Sequence, residues 1–321
     1  MPTLRIGTRG SQLALYQART TAALLESRTG STCEIVIIRT SGDRLQDVSL
    51  SEIGGKRLFV KEIEDALLAG TVDLAVHSSK DMPAALPDGL EIAAVLPRED
   101  PRDAIVLPAS APAGDGSLDS VRAQLGSAPR IGTSSVRRIA QLARLFPGAR
   151  FLPIRGNLDT RLRKLDSGEF DAIVLAAAGL RRLGFDARIS GSIGTDDCVP
   201  APGQGIIAIE IRSVDTATRT LVAALDDTPA TQALAAEREV VRALGGGCQM
   251  PIGAIALLDG DAMTVSGLVT SLDGTREVRA TTAGLASAAH DLGTAVARQL
   301  LDQGAAAILA EASQTPAGGT R

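Results

Sequence analysis

Four residues, Arg-Ile-Gly-Thr, occur twice in this 321-residue chain, at Arg5 to Thr8 and again at Arg130 to Thr133, each time ahead of a serine-bearing turn and an apolar-periodic stretch. A second echo follows each one. Gly70-Thr71-Val72-Asp73 leads into Leu74-Ala75-Val76, and Gly168-Glu169-Phe170-Asp171 leads into Ala172-Ile173-Val174, so both share Gly-x-x-Asp-x-x-Val. Repeated self-similarity of this kind implies duplicated supersecondary units. The expected architecture is therefore α/β with two related lobes, because short apolar strands alternate with helical periodicity through the first two thirds of the chain.

The strand patterns are Leu4 to Gly7, Glu34 to Arg39, Val72 to His77, Glu91 to Leu96 and Ala104 to Leu107, with helix patterns at Gln12 to Glu26, Lys61 to Leu68 and Val136 to Leu145. Proline and charge cluster at Pro97 to Arg102, where the chain is expected to pass from one lobe to the other, and Val199 to Gly205 marks the return. Beyond Asp226 the pattern changes to a helix at Thr231 to Leu244, a glycine turn, three strands and a closing helix, which reads as a smaller α+β domain. The division expected is 1–98 with 204–222 as the first lobe, 102–199 as the second, and 226–321 as the third domain. The Gly/Thr/Pro-rich tail from Ser313 onward reads as frayed.

Charge narrows the partners. The formal net charge is −4 and aromatics make up 2%, so neither the basic excess nor the stacking platforms of a nucleic-acid binder are present. No apolar run reaches the roughly 20 residues of a membrane span. Arg5 and Arg9 interrupt the N-terminus before a signal-type apolar stretch forms, so the cytoplasm is the expected compartment and a monomer without membrane or nucleic-acid partners the expected form. Three cysteines and two histidines without paired spacing draw neither a disulfide framework nor a metal site. Of 33 basic residues only four are lysines, and arginine is the side chain whose planar fork pairs bidentately with carboxylate or phosphate.

Position decides what those arginines do. Both strand-to-helix turns carry hydroxyls and guanidiniums: Thr8, Arg9 and Ser11 in the first, Thr133, Ser134, Ser135, Arg137 and Arg138 in the second. One such turn is ordinarily helix capping. Two matching turns, with Arg155 and Arg161 at a third junction and Arg181-Arg182 beyond a fourth strand, favour an anion carrying several carboxylates held between the lobes. His77-Ser78-Ser79-Lys80-Asp81 ends a strongly apolar strand, where open α/β sheets place their sites. An arbitrary Lys-Asp pair is usually a surface ion pair, and His77 fits a hydrogen-bonded structural residue better than a base. Cys248, in Gly245-Gly246-Gly247-Cys248 before Pro251, reads equally as a structural thiol or as an unobstructed nucleophile. Gly203-Gln204-Gly205 looks like part of a dinucleotide fingerprint, but a strand pattern follows where a helix is required.

Taken in chain order, Thr8-Arg9-Gly10-Ser11-Gln12-Leu13-Ala14, Ala75-Val76-His77-Ser78-Ser79-Lys80-Asp81, Ile131-Gly132-Thr133-Ser134-Ser135-Val136-Arg137-Arg138, Ile154-Arg155-Gly156-Asn157 and Glu237-Arg238 through Gly247-Cys248-Gln249-Met250-Pro251-Ile252-Gly253 resemble the hydroxymethylbilane synthases, also called porphobilinogen deaminases. Met250 and Ser79 depart from the family's usual β-branched and larger apolar residues. The resemblance implies two lobes like those of periplasmic binding proteins and a third domain carrying a dipyrromethane cofactor in thioether linkage to Cys248. It implies that four porphobilinogen units are added head to tail with loss of ammonia before water releases hydroxymethylbilane. Asp81 and Lys80 would be the catalytic residues, with the Asp81 carboxylate stabilising the azafulvene cation and moving protons. Lys80, Asp81, Thr133, Ser135, Arg137 and Arg138 would bind the cofactor, and Arg9, Ser11, Arg155, Arg161 and Arg182 the substrate. Leu45 to Arg57 matches a mobile loop over the cleft. A non-catalytic two-lobe receptor for a polycarboxylate is the alternative, and it leaves Cys248 without a use.

Overall fold

The structure is a computed structural model that describes residues 3–41, 60–246 and 250–314. The chain first builds β1 (Thr3–Thr8), α1 (Gln12–Thr29), β2 (Thr32–Ile37), α2 (Lys61–Leu68), β3 (Leu74–Ser78) and β4 (Leu90–Val95). It then crosses to a second sheet through β5 (Asp103–Val106), α3 (Leu118–Leu125), β6 (Arg130–Gly132), α4 (Val136–Leu145), β7 (Arg150–Leu152), α5 (Leu158–Asp166), β8 (Ala172–Ala176), α6 (Ala177–Arg182) and β9 (Gly191–Ile193). It returns as β10 (Ile207–Arg212) and α7 (Thr216–Val222). A third unit follows, made of α8 (Thr228–Ala243), β11 (Ile252–Asp259), β12 (Ala262–Thr270), β13 (Glu277–Leu285), α9 (Ala289–Asp302) and α10 (Ala305–Gln314). The two-lobe α/β expectation holds.

The two larger sheets have the same plan. Their strand orders are β2-β1-β3-β10-β4 and β7-β6-β8-β5-β9. In each, three parallel strands are followed by one antiparallel strand that arrives from the other lobe, β10 in the first and β5 in the second. The sequence echoes now have a physical cause. Arg5 donates from Nη2 to Asp73 at 2.7 Å and to the Gly70 carbonyl at 2.8 Å, while its backbone N–H donates to the same carboxylate at 2.8 Å. Arg130 repeats this on Asp171 at 2.7 Å and on the Gly168 carbonyl at 3.0 Å. The clamp ties the start of one strand to the turn before its neighbour, and it needs those residue types at those offsets.

Both sheets are covered on two faces, which is why their strands read as continuous apolar runs. In β8, Ile173 and Leu175 pack with Leu162 and Leu180, while Ala172 and Val174 pack with Ile131 and Leu142 on the opposite face. In the third unit the antiparallel sheet β11-β12-β13 packs α8, α9 and α10 against Val265, Val269 and Ala280. Its other face seats Ile255 and Leu268 on Val199 of the returning segment. Helix α10 was not legible as a helix in the sequence, and it takes in Ser313 and Gln314.

The two crossover segments run side by side between the lobes. Leu96 and Glu99 donate their N–H groups to the carbonyls of Ile207 and Gly205. Gly203 and Gly205 have φ of +73° and +89°, and a Cβ on Gly205 would strike the Glu99 carbonyl. The Gly-Gln-Gly triplet therefore serves a close approach of two backbones, and β10 follows it.

Candidate functional site

Lys80 and Asp81 occupy a single 3-10 turn, Ser79–Asp81, at the C-terminal end of β3. The apolar residues of β3 anchor the turn, and Asp81 is exposed in the cleft. Lys80 lies deeper. Its Nζ donates to Gln204 Oε1 at 3.4 Å, and burial together with neighbouring Arg138 pulls its pKa down to about 8 against the opposing pull of Asp81 and Asp103.

Facing it from the second lobe is the start of α4, whose inward side is polar. Arg137, Arg138 and Gln141 are all buried there. Sequence reading expected Arg137 and Arg138 as forks open to a ligand, but both are committed to a carboxylate it did not single out, Asp103 at the first position of β5. Arg137 Nη2 donates to Asp103 Oδ2 at 2.8 Å, and Arg138 donates from Nε and Nη2 to Oδ1 at 3.0 and 2.8 Å. Burial alone would raise the Asp103 carboxyl, yet the two guanidiniums outweigh it and hold the group far below the usual carboxylate range. Cys198, beside this cluster, is pushed up to about 12 chiefly by burial, so it is a poor nucleophile.

The predicted hydroxyls act mainly on the backbone. Ser11 accepts from the Ala14 N–H, Ser135 from the Arg138 N–H and Asn157 from the Thr160 N–H, so each caps its helix, and Thr133 accepts from the Ser135 N–H. Arg155 and Arg161 flank the third junction. Burial, then Arg138 and Arg155, lowers Arg161 to about 10 while Asp81 works against them, which places all four groups in one electrostatic neighbourhood. Arg155 itself is lowered by burial and has no hydrogen-bond acceptor among the described residues. Arg182 stands apart from that group, donating to the Gly205 carbonyl at 2.6 Å. Arg9 lies half-buried on the turn between β1 and α1. His77 is buried within the sheet with its Nε2 3.0 Å from Glu210 Oε2, the structural pairing its sequence position suggested.

A pocket opens where both lobes meet the third unit. Ser79, Lys80, Ser135, Arg137, Pro202, Arg238, Val241, Met250 and Ile252 line it. Cys248 and the segment Leu45 to Arg57 lie outside the described residues, but Val241 and Met250 bracket the cysteine's segment on either side. Two buried polar atoms of the lining, Ser79 Oγ and Arg137 Nε, have no hydrogen-bond partner among the described residues. Glu237 on α8, part of the quoted motif but given no role from sequence, precedes Arg238 of the pocket lining. It accepts from Arg98 Nη1 at 2.5 Å, from the Gly203 N–H at 2.7 Å and from the Ala256 N–H at 2.8 Å. Neither carboxylate announced itself, because the partners of each are brought to it from distant parts of the chain. A usable signal was the presence of an acid within otherwise apolar periodicity. Among the described residues, no helix is long and apolar enough to cross a membrane.

Residues 4–220 match the family model described as porphobilinogen deaminase, dipyromethane cofactor binding domain, and residues 231–302 match porphobilinogen deaminase, C-terminal domain. A curated porphobilinogen deaminase from Syntrophobacter fumaroxidans is 50% identical over 309 residues, covering 96% of this chain and 97% of that protein. One from Roseiflexus sp. is 48% identical over 309 residues, covering 96% and 99%. Among solved structures, the methionine-binding protein MetQ is 12% identical, with a TM-score of 0.42 over 72% of this chain and 90% of that one.

Proposed function

The chain belongs to the porphobilinogen deaminase family, and on that premise we propose that the cleft between its lobes builds a linear tetrapyrrole from porphobilinogen. It is a transferase of tetrapyrrole and haem biosynthesis. Four porphobilinogen units are joined head to tail, each with loss of ammonia, and water releases hydroxymethylbilane. The dipyrromethane cofactor, carried on Cys248, supplies the nucleophilic pyrrole carbon from which the chain is extended.

One observation carries the assignment of roles: the site is short of negative charge. Among the described residues, Lys80, Arg137, Arg138, Arg155 and Arg161 share a neighbourhood with the carboxylates of Asp81 and Asp103 alone. Desolvated cations without counter-charges cost several kcal/mol each, so such a site favours an anion. Each pyrrole carries an acetate and a propionate, and two rings bring four carboxylates to it. The pocket, in whose lining Ser79 Oγ and Arg137 Nε have no partner among the described residues, suits that group. In this reading Lys80, Thr133, Ser135, Arg137 and Arg138 hold the cofactor, with Asp81 against its pyrroles. Arg9, Ser11, Arg155, Arg161 and Arg182 take the incoming unit and the lengthening chain.

Asp81, exposed at the strand end, stabilises the cation left when the amino nitrogen of porphobilinogen's aminomethyl arm departs as ammonia and its methylene carbon stays on the ring, and it moves the proton that departure requires. Lys80 beside it supplies a cationic contact for a cofactor carboxylate. The domain division given above, a cytoplasmic location, a monomeric state and the lack of nucleic-acid and membrane partners complete the proposal. A two-lobe polycarboxylate receptor would use the same cations but neither Asp81 nor Cys248.

Intact mass is the test. The purified protein should exceed the 33.0 kDa of the chain by two pyrrole units. Cys248→Ala should lose the increment, whereas Cys33→Ala and Cys198→Ala should keep it. An unmodified wild-type mass, with no colour from an acidic aldehyde reagent for pyrroles, sinks the reading.

A further inference from the structure

We propose that Asp103 is the positioning residue of the cleft's cation cluster, one buried carboxylate that aims Arg137 and Arg138 and joins them through Gln204 to Lys80; this rests on the reading above, in which those cations hold the cofactor. Asp103 is fully buried and touches no open surface. Its Oδ2 accepts from Arg137 Nη2 at 2.8 Å and from Cys198 Sγ at 3.4 Å. Its Oδ1 accepts from Arg138 Nε, Arg138 Nη2 and Gln204 Nε2 at 3.0, 2.8 and 2.9 Å. Two oxygens with about four lone-pair sites are thereby saturated.

Each guanidinium is held at a second point as well. Arg137 Nη1 donates to the Val199 carbonyl at 2.8 Å, and Arg138 Nη1 to the Val174 carbonyl at 2.9 Å. A planar fork pinned at two points has a set direction, which is what bidentate recognition of a further carboxylate requires. Without Asp103 two like charges on consecutive residues repel at short range in a desolvated site. The amide of Gln204 extends the arrangement between lobes. Its Nε2 also donates to the Pro101 carbonyl at 2.7 Å, and its Oε1 accepts from Lys80 Nζ at 3.4 Å. Asp103 therefore sets the register of second-lobe arginines against a first-lobe lysine.

The charged groups facing Lys80 are Asp81 from its own turn, Asp103 from β5, and Arg137 and Arg138 from α4. Asp103 opposes the fall in the ammonium's pKa that burial and Arg138 cause. Its removal should extend that fall. A residue that merely stabilised the fold would not move this titration.

The experiment follows cofactor acquisition. Protein made in cells unable to supply porphobilinogen is incubated with porphobilinogen, and the covalent mass increment is timed across pH. Asp103→Asn should load roughly tenfold or more slowly, since misplacing a clamp by about 1 Å costs on the order of a hundredfold. The alkaline limit of loading should also shift to lower pH. Asp103→Glu keeps the charge but displaces both forks, so loading should slow while the alkaline limit stays. Ile105→Ala, fully buried on the same strand without a polar link, supplies a destabilised control that should load normally. Wild-type loading by Asp103→Asn with an unmoved limit overturns the inference, as does wild-type loading by Asp103→Glu or slowing of Ile105→Ala to match. A wild-type chain that gains no mass overturns the parent reading, and this one with it.

Discussion

Replacing Glu237 by alanine should detach the cysteine-bearing unit from the cleft without touching any residue that meets substrate. Glu237 is fully buried on α8, and its carboxylate accepts from three separate parts of the chain: Arg98 in the outgoing crossover, Gly203 in the returning one, and Ala256 on β11. Truncation leaves two backbone N–H groups without acceptors, at roughly 1–3 kcal/mol each. It also leaves Arg98, whose side chain is 14% exposed, with the Gln204 carbonyl at 3.0 Å as its one acceptor among the described residues, and breaking a buried pair in this way costs about 3–5 kcal/mol. These costs share one site and do not add, so a total of about 4–6 kcal/mol is expected, a large part of a typical domain's about 5–15 kcal/mol. Urea denaturation gives the stability, and intact mass gives the fraction carrying cofactor. Both should fall, whereas Arg298→Ala, an exposed position on α9, should leave both near wild type. If Glu237→Ala unfolds within about 1 kcal/mol of wild type and carries full cofactor, the buried carboxylate is not what docks the third unit.

Asp81→Asn should retain fold and cofactor but lose turnover by at least about a hundredfold, with Asp81→Glu in between, as measured by porphobilinogen consumption per loaded enzyme. Arg137→Lys and Arg155→Lys should part company. The first breaks a fork shared by Asp103 and the Val199 carbonyl and so lowers both stability and cofactor loading, while the second, whose guanidinium has no described acceptor, should lower turnover and leave the denaturation midpoint unchanged. Lys80 is depressed from 10.5 to about 8, burial being the main cause. Between those values the unfolded chain binds more protons than the folded one, so cofactor-free protein should gain stability from this group as pH rises from about 8 to 10.5. Cofactor loading should fall with a midpoint near 8, and Lys80→Met should abolish the stability gain in a denaturation series.

Local pattern was enough for most of the elements. The helices at 61–68 and 136–145 were read to the residue because their apolar periodicity begins and ends sharply, at a charged first turn in α2 and a serine cap in α4. The strand pattern Ala104 to Leu107 lies one residue late, since β5 runs Asp103–Val106 and its first residue is an acid outside the apolar run. The short helices at 118–125 and 216–222 were missed, being under three turns long and lying among polar residues.

The amino-acid sequence by itself determined the duplication, the strand-end placement of Lys80 and Asp81, and the arginines of the second lobe, because each is written in residues close together in the chain: Arg5 with its glycine turn, the apolar run of β3, the capped start of α4. Only the tertiary structure decided how the charges are balanced. Asp103 meets Arg137 and Arg138 across more than 30 positions and Gln204 across 101, and Glu237 meets Arg98 across 139. The physical reason is that a buried ion pair is stabilised by proximity and desolvation, both set by packing of elements remote in sequence. A strand-end acid looks the same in the sequence whether it faces water or two buried guanidiniums.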